Sequence, residues 1–253
     1  ILANTQCQFV FFENNPKNYK LLEHEIDALG SLPSGMAVSL VDIDFEAYLR
    51  KLIDQLKAAG QMLAPAFAFI DPYGFRLPMD LLNELLKFPK CELLINFMYR
   101  YVDMAVMGSA DNERNLTQLF GTHNWTHLRI MEQKERENAT IGLFSGQLSA
   151  RYVTHMQMRG GNRALKYVLF HATNNPKGRE KFKEAIWSVT PDGSFSAFER
   201  KNPNQMILVE PEPNLDPLKS ALKVEFAGKS VRMDGLYQWL IDTMYLKKHL
   251  HSR

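Results

Sequence analysis

The sequence predicts an α/β protein built on a largely parallel sheet, and two patterns carry that expectation. Over residues 8 to 97, β-rich apolar runs alternate with stretches of helical spacing, and most of those runs are apolar on both faces. A strand covered by helices on both sides reads this way, whereas a half-exposed strand alternates with polar residues. The first run, Gln8 to Phe12, ends at Glu13-Asn14-Asn15-Pro16. Tyr19, Leu22, Ile26 and Leu29 then keep helical spacing until Gly30 stops them. Met36 to Val41 is a second strand, ending in Asp42-Ile43-Asp44. Phe45, Tyr48, Leu49, Leu52, Ile53 and Leu56 form the next helical stripe, stopped by Gly60. Ala66 to Ile70 is a third strand, again closed by an acid, Asp71. Leu81, Leu82, Leu85 and Leu86 make a helix, and Cys91 to Phe97 is a fourth strand.

The rhythm changes after residue 97. Residues 98 to 150 read as mostly helical and polar, with Leu116, Leu119 and Phe120 leading into Gly121. Tyr152 to Met158 and Leu165 to His171 are strands separated only by Arg159 to Ala164, which contains Gly160-Gly161-Asn162. So short a connection makes them an antiparallel hairpin. An amphipathic helix follows from about Pro176 to Trp187. A parallel sheet that closes with an antiparallel hairpin is the Rossmann-like arrangement of class I methyltransferases, though other doubly wound enzymes have antiparallel edges too. Residues 1–190 are expected to form this domain. Residues 191–222 read as a linker rich in Pro, Asn and Ser with one short strand, Met206 to Val209. Residues 223–253 begin a helical or winged-helix unit, whose face runs through Leu236, Trp239, Leu240, Thr243, Met244 and Leu250. The cations Lys247, Lys248, His249, His251 and Arg253 cluster at its end; the plain reading is a packing helix with a solvated cationic terminus.

Composition bounds the function classes. At 253 residues, 45% hydrophobic and 23% charged, the chain can bury a full core as an ordinary globular protein. Thirty basic against 28 acidic side chains leave a formal charge of +2, which is no nucleic-acid signature by itself. Cys7 and Cys91 both sit in apolar runs and read as small buried hydrophobes of a reducing compartment, hence a cytoplasmic protein. No apolar run of about 18 residues appears, so no membrane helix is expected, and there is no signal peptide. No His/Cys cluster has metal spacing, and neither a nucleophile elbow nor a P-loop is present. The chain opens on Ile1 and closes in a helical pattern without a stop signal, which reads as a fragment of a longer protein.

In an open α/β sheet, ligands bind beyond the carboxyl ends of the strands. Glu13, Asp42 with Asp44, and Asp71 all follow strands. An ionised carboxylate only accepts hydrogen bonds, so Glu13 suits both hydroxyls of a ribose and Asp42 or Asp44 an adenine amino group. Acids after strands also cap helices, and Asp44 before Phe45 reads as such a cap. Asp71-Pro72-Tyr73-Gly74 is the sharpest motif. Pro72 removes an amide and favours extended backbone at Asp71, and Gly74 permits a tight turn. Amino-directed methyltransferases use a similar Asp-Pro-Pro-Tyr strand end, where the acid holds the target amine and the ring stacks on a base. The same composition also makes a plain turn. Asn174 or Asn175 is placed to cap a helix beginning at Pro176. His171 reads as a packed histidine rather than a base, and Trp125 and Trp187 as packing residues.

Several segments, taken together, resemble the three-Cys-motif partner (TcmP) family. They are the Phe11-Phe12-Glu13-Asn14-Asn15-Pro16 strand end, Phe69 to Gly74, Cys91 to Met98, Leu119-Phe120-Gly121, Phe170 to Gly178, and Ala185-Ile186-Trp187. The resemblance runs in order from residue 1 to about 190. It implies a bacterial relative of Rossmann-fold methyltransferases, with S-adenosylmethionine as cofactor and a three-cysteine-motif protein or a nucleic acid as partner. It places Glu13, Asn14 and Asp42 on the cofactor, and Asp71, Pro72 and Tyr73 at the acceptor. Family members carry an upstream strand and glycine loop that this chain lacks. The resemblance therefore implies an incomplete cofactor site and two open apolar strand edges, at residues 8–12 and 66–70. Two functions follow: an S-adenosylmethionine-dependent methyltransferase acting on an amino group of nucleic acid or protein, or a non-catalytic binding module.

Overall fold

The computed structural model describes residues 6–72, 74–198 and 212–251. The chain divides into two compact units, Ile1–Met62 and Leu63–Arg253.

In the first unit, β1 (Cys7–Phe12) is followed by α1 (Pro16–Ala28), β2 (Met36–Val41) and α2 (Phe45–Ala58). β1 and β2 pair in parallel, Cys7 opposite Met36 through to Phe12 opposite Val41. Local sequence sets the helix starts. The Asn15 side chain accepts from the Lys17 and Asn18 amides ahead of Pro16. Asp44 accepts from the Ala47 amide at 2.9 Å, the cap its position before Phe45 predicts. Phe45 and Tyr48 bring their rings 5.5 and 4.9 Å from that of Phe12, and Leu49 and Ile53 are buried. β1 gains less cover than its composition predicts: Phe9, Val10 and Phe11 are exposed. Cys7 is exposed as well, which corrects the expectation that both cysteines are buried. The reason is topological, since among the described residues β1 has a strand on one side only.

The second unit contains β3 (Ala66–Ile70), α3 (Met79–Leu86), β4 (Cys91–Phe97), α4 (Tyr99–Val106), α5 (Glu113–Phe120), α6 (Gln133–Gln147), β5 (Tyr152–Arg159), β6 (Leu165–Thr173), α7 (Pro176–Val189), β7 (Ser196–Phe198), α8 (Asp216–Phe226) and α9 (Met233–Asp242). Its sheet runs β3-β4-β6-β5-β7. β3 and β4 are parallel, β6 is antiparallel to both β4 and β5, and β7 is parallel to β5. The expected alternation of strands and helices and the closing hairpin are both present. The hairpin turns through a Gly160 amide bonded to the Ala164 carbonyl at 2.9 Å, with Arg163 at φ +65°. The short strand expected at Met206 to Val209 lies outside the described residues.

One face of this sheet is the core. Leu93, Ile95, Phe97 and Phe170 are buried on it, and the Phe97 ring lies 4.6 Å from Phe144 and 5.6 Å from Phe170. α4, α5 and α6 supply Val102, Leu116, Phe120 and Phe144 to the same core. On the other face Phe67 stands opposite Glu92 and Phe69 opposite Leu94. Both phenylalanines are exposed, and among the described residues β3 too has a strand on one side only. Among those residues, β1 and β3 each have one open edge.

The C-terminal segment departs from the expected continuous helix. α9 ends at Asp242, and a short 3-10 turn follows at Lys247–Leu250. Two buried cations of α7 take the carbonyls at this break. Lys183 Nζ donates to the carbonyls of Leu240, Thr243 and Tyr245 at 3.0 Å each, and Arg179 donates to those of Ile241 at 2.6 Å and Asp242 at 3.1 Å. Helix C-termini carry unpaired carbonyls and partial negative charge, so cations stabilise them. Trp187 Nε1 donates to the Met244 carbonyl at 2.7 Å. His249 is buried rather than solvated, its ring 4.2 Å from that of Trp187, and its Nδ1 accepts the Leu246 amide at 3.0 Å. Trp125 is buried with Nε1 donating to Thr117 Oγ1, so Trp125 and Trp187 are packing residues.

An accepting Nδ1 requires an unprotonated ring nitrogen. Burial, then Lys248 and Lys183, pull the His249 pKa down to about 4. The folded pKa lies below the unfolded value, so the stability His249 contributes is present at neutral pH and is lost as pH falls from about 6.5 towards 4. The loss should approach roughly 3 kcal/mol, from the free energy per unit of pKa shift. Urea unfolding at neutral and mildly acidic pH checks this: His249→Gln should show a smaller acid loss than the parent, and equal losses would contradict it.

Candidate functional site

The strand ends singled out by the sequence fall in both units. In the second, Asp71 follows β3 directly, and Ile70 pairs with Ile95, which sets Asp71 beside Asn96 of β4. Asn96 Nδ2 donates to Asp71 Oδ1 at 2.7 Å. Asn96 Oδ1 is buried and, among the described residues, has no hydrogen-bond partner. A buried amide oxygen left unpaired costs on the order of 1–3 kcal/mol, so it marks a place where a donor is missing. Asn96 Oδ1 and the rest of the Asp71 carboxylate are acceptors, and Asn96 Nδ2 keeps one further N–H beside them. Acceptors predominate, which suits a ligand that brings N–H groups, as an amine does. Gly74 has φ +79°, the left-handed turn its position predicts. Pro72 lies in the connection, partly buried, and Tyr73 lies outside the described residues.

The sequence reading named Asp71 and missed Asn96. The signal was available: a single amide side chain inside the apolar run Leu93 to Phe97, at the register position facing the end of β3.

In the first unit, the Glu13 amide donates to the Val41 carbonyl at 3.3 Å, which places Glu13 beside the carboxyl end of β2, where Asp42 follows. The Glu13 carboxylate is already engaged: Oε1 accepts the Asn15 amide at 2.8 Å and Oε2 the Asn18 side chain at 3.4 Å. It therefore helps to close the first turn of α1. Each oxygen keeps a further lone pair for a ligand hydroxyl. Asn14 and Asp42 are exposed.

A second cluster lies at the opposite, amino ends of β3 and β4. His171 of β6 is 2% exposed and stacks on Phe182 of α7 with ring centroids 4.4 Å apart. Its Nε2 lies 3.0 Å from Glu92 Oε2. Nδ1 is buried and, among the described residues, has no hydrogen-bond partner. Burial lowers the His171 pKa, and the bond to Glu92 opposes this only in part. The ring is thus neutral, donating from Nε2 to a carboxylate. His171 is packed, as the sequence predicts, and among the described residues only its Nε2 has a hydrogen-bond partner. The adjacent Cys91 thiol is pushed up to about 11 by burial and by Glu92, which removes it as a nucleophile at neutral pH.

Among the described residues no group of three or more His, Cys, Asp or Glu side chains could hold a metal ion, and no helix is long and apolar enough to cross a membrane. Asn175 accepts from the Lys177 amide and caps α7 ahead of Pro176, while Asn174 joins the Arg151 amide to the Leu86 carbonyl.

Comparison with protein-family models, with curated proteins and with solved structures found no match.

Proposed function

We propose that the protein is an S-adenosylmethionine-dependent methyltransferase, or a close relative in build, whose acceptor is an amino group of nucleic acid or protein. The observation that carries this reading is the Asp71–Asn96 pair at the carboxyl ends of β3 and β4. The topology of the sheet supports it: β6 returns antiparallel between β4 and β5 beside a parallel β3–β4 pair, an arrangement class I methyltransferases share. The family resemblance of the sequence points the same way.

In this reading Asp71 and Asn96 accept the N–H bonds of the acceptor and so direct its lone pair away from the sheet. An amine is nucleophilic only through that lone pair, and fixing its direction is worth a large part of the barrier. Glu13, with Asn14 beside it, would hold the ribose of S-adenosylmethionine, and Asp42 its adenine. The cofactor would supply an electrophilic methyl group. A proton lost from the acceptor nitrogen can pass to the exposed Asp71 carboxylate and on to water.

Transfer of labelled methyl groups to nucleic acid or protein acceptors tests the proposal. Asp71→Ala should lower transfer by about a hundredfold or more, on the scale of losing one aligned polar contact to the reacting group. Undiminished transfer by that variant would remove Asp71 from the reaction. One observation favours a second reading, a non-catalytic module binding a nucleic acid or a three-cysteine-motif protein: the Glu13 carboxylate is already occupied by the start of α1. Stable co-purification of a partner together with no methyl transfer would select it.

A further inference from the structure

We propose that the groove at the amino ends of β3 and β4, beside α7, binds a nucleoside monophosphate whose base carries an exocyclic amino group. The groove has a volume of about 620 Å³, enough for such a ligand. It lies at the opposite end of β3 from Asp71, and the proposal does not depend on the methyl-transfer reading.

Three features of the groove point to that chemistry. The lip is cationic. Lys90, Lys177 and Lys181 line it and are exposed; Lys181 is paired with Glu184, but among the described residues Lys90 and Lys177 have no ion-pair partner. Two free ammonium groups at one opening suit a phosphate. The floor is the reverse. Glu92 presents a carboxylate whose Oε2 is bound by His171 and whose Oε1 has no partner among the described residues. A carboxylate oxygen can take only a donor, such as an amino N–H. The lining is also aromatic: Phe67 is 62% exposed, and Phe182, half-buried with one face stacked on His171, lines the same groove. Flat, exposed aromatic surface next to cations is what nucleobases stack upon.

The floor is held in place at a cost. Gly178 is the third residue of α7, and a Cβ there would stand 2.3 Å from Glu92 Oε2. Glycine inside a helix is unfavourable relative to alanine, so the bare position is one the carboxylate needs. His171, neutral and buried, fixes the same carboxylate from the other side. Glu92 is thus held between an imidazole donor and the backbone of α7, with both carboxylate oxygens close to Gly178 and Oε1 without a hydrogen-bond partner among the described residues.

The test is calorimetric titration of the whole chain with adenosine monophosphate, compared with adenosine, ribose 5-phosphate and inosine monophosphate. Saturable binding of adenosine monophosphate is expected, with each of the other three at least about tenfold weaker. The Lys90→Glu, Lys177→Glu double variant alters only exposed side chains and should keep the parent's thermal midpoint while weakening binding at least about tenfold. Gly178→Ala, which displaces Glu92, should weaken it similarly. The proposal is overturned if adenosine monophosphate fails to bind up to millimolar concentration, or if ribose 5-phosphate binds as well, which would mean a phosphate resting on lysines. It is also overturned if binding survives the double lysine variant but is lost in Glu13→Ala, which would assign the nucleotide to the first unit.

Discussion

Replacing Lys183 with methionine is expected to destabilise the second unit by roughly 3 kcal/mol or more and to loosen the segment after α9. Methionine keeps much of the lysine stem, so the loss is mainly that of the ammonium. That ammonium donates to the carbonyls of Leu240, Thr243 and Tyr245, and the side chain is 2% exposed. Each buried carbonyl left without a donor costs on the order of 1–3 kcal/mol. Swapping a buried ion pair for apolar groups is often harmless because both partners go at once. Here the acceptors are backbone and stay behind. Burial brings the Lys183 pKa down to about 8, so the group is still charged at neutral pH. Urea denaturation reads the stability. The indole N–H resonance of Trp187, bonded to the Met244 carbonyl, reads the local detachment. An unchanged midpoint with an unchanged indole signal would show that Lys183 does not hold the segment.

Phe170→Ala should cost about 3–5 kcal/mol, the usual range for removing a buried phenylalanine ring. Phe170 sits on the central strand β6, opposite Ile95 of β4 and His155 of β5, and its ring meets Phe97 and Phe144 at 5.6 and 4.9 Å. It is wholly buried, so the cavity opens in the most tightly enclosed part of the sheet. Phe67→Ala on β3 is the control. That ring is mostly in water, and its removal should change stability by less than about 1 kcal/mol. Equal effects of the two substitutions on the denaturation midpoint would mean that the core is not where β6 places it.

Local chemistry was the legible part of this fold. Asn15, Asp44 and Asn175 cap helices where a polar residue precedes Pro or an apolar stripe, and the turn at Gly160 to Ala164 makes the hairpin its length demands. Burial was less legible. The runs at β1 and β3 have the composition of covered strands, yet whether a strand is covered depends on what flanks it, which composition does not encode. Long-range polar contacts were not legible at all. Glu92 and His171 are 79 residues apart in sequence, and Arg179 and Lys183 meet carbonyls about 60 residues downstream. At the candidate site the sequence singled out Asp71 because a strand-ending acid before proline is a local pattern. Asn96 acquires meaning only once β3 and β4 are in register.

The position of β6 between β4 and β5 also sets an order of assembly. β3 and β4 can pair early, joined by a short helix, and the β5–β6 hairpin can form by itself from neighbouring residues. The sheet is completed only when β6 reaches back across the α4–α6 region to β4. Closing so long a loop before its contacts are made is slow. Until then β4 offers an unpaired, apolar edge to any other strand nearby. The helices inserted before the hairpin thus shape the core and also lengthen the interval in which a nascent chain can pair wrongly.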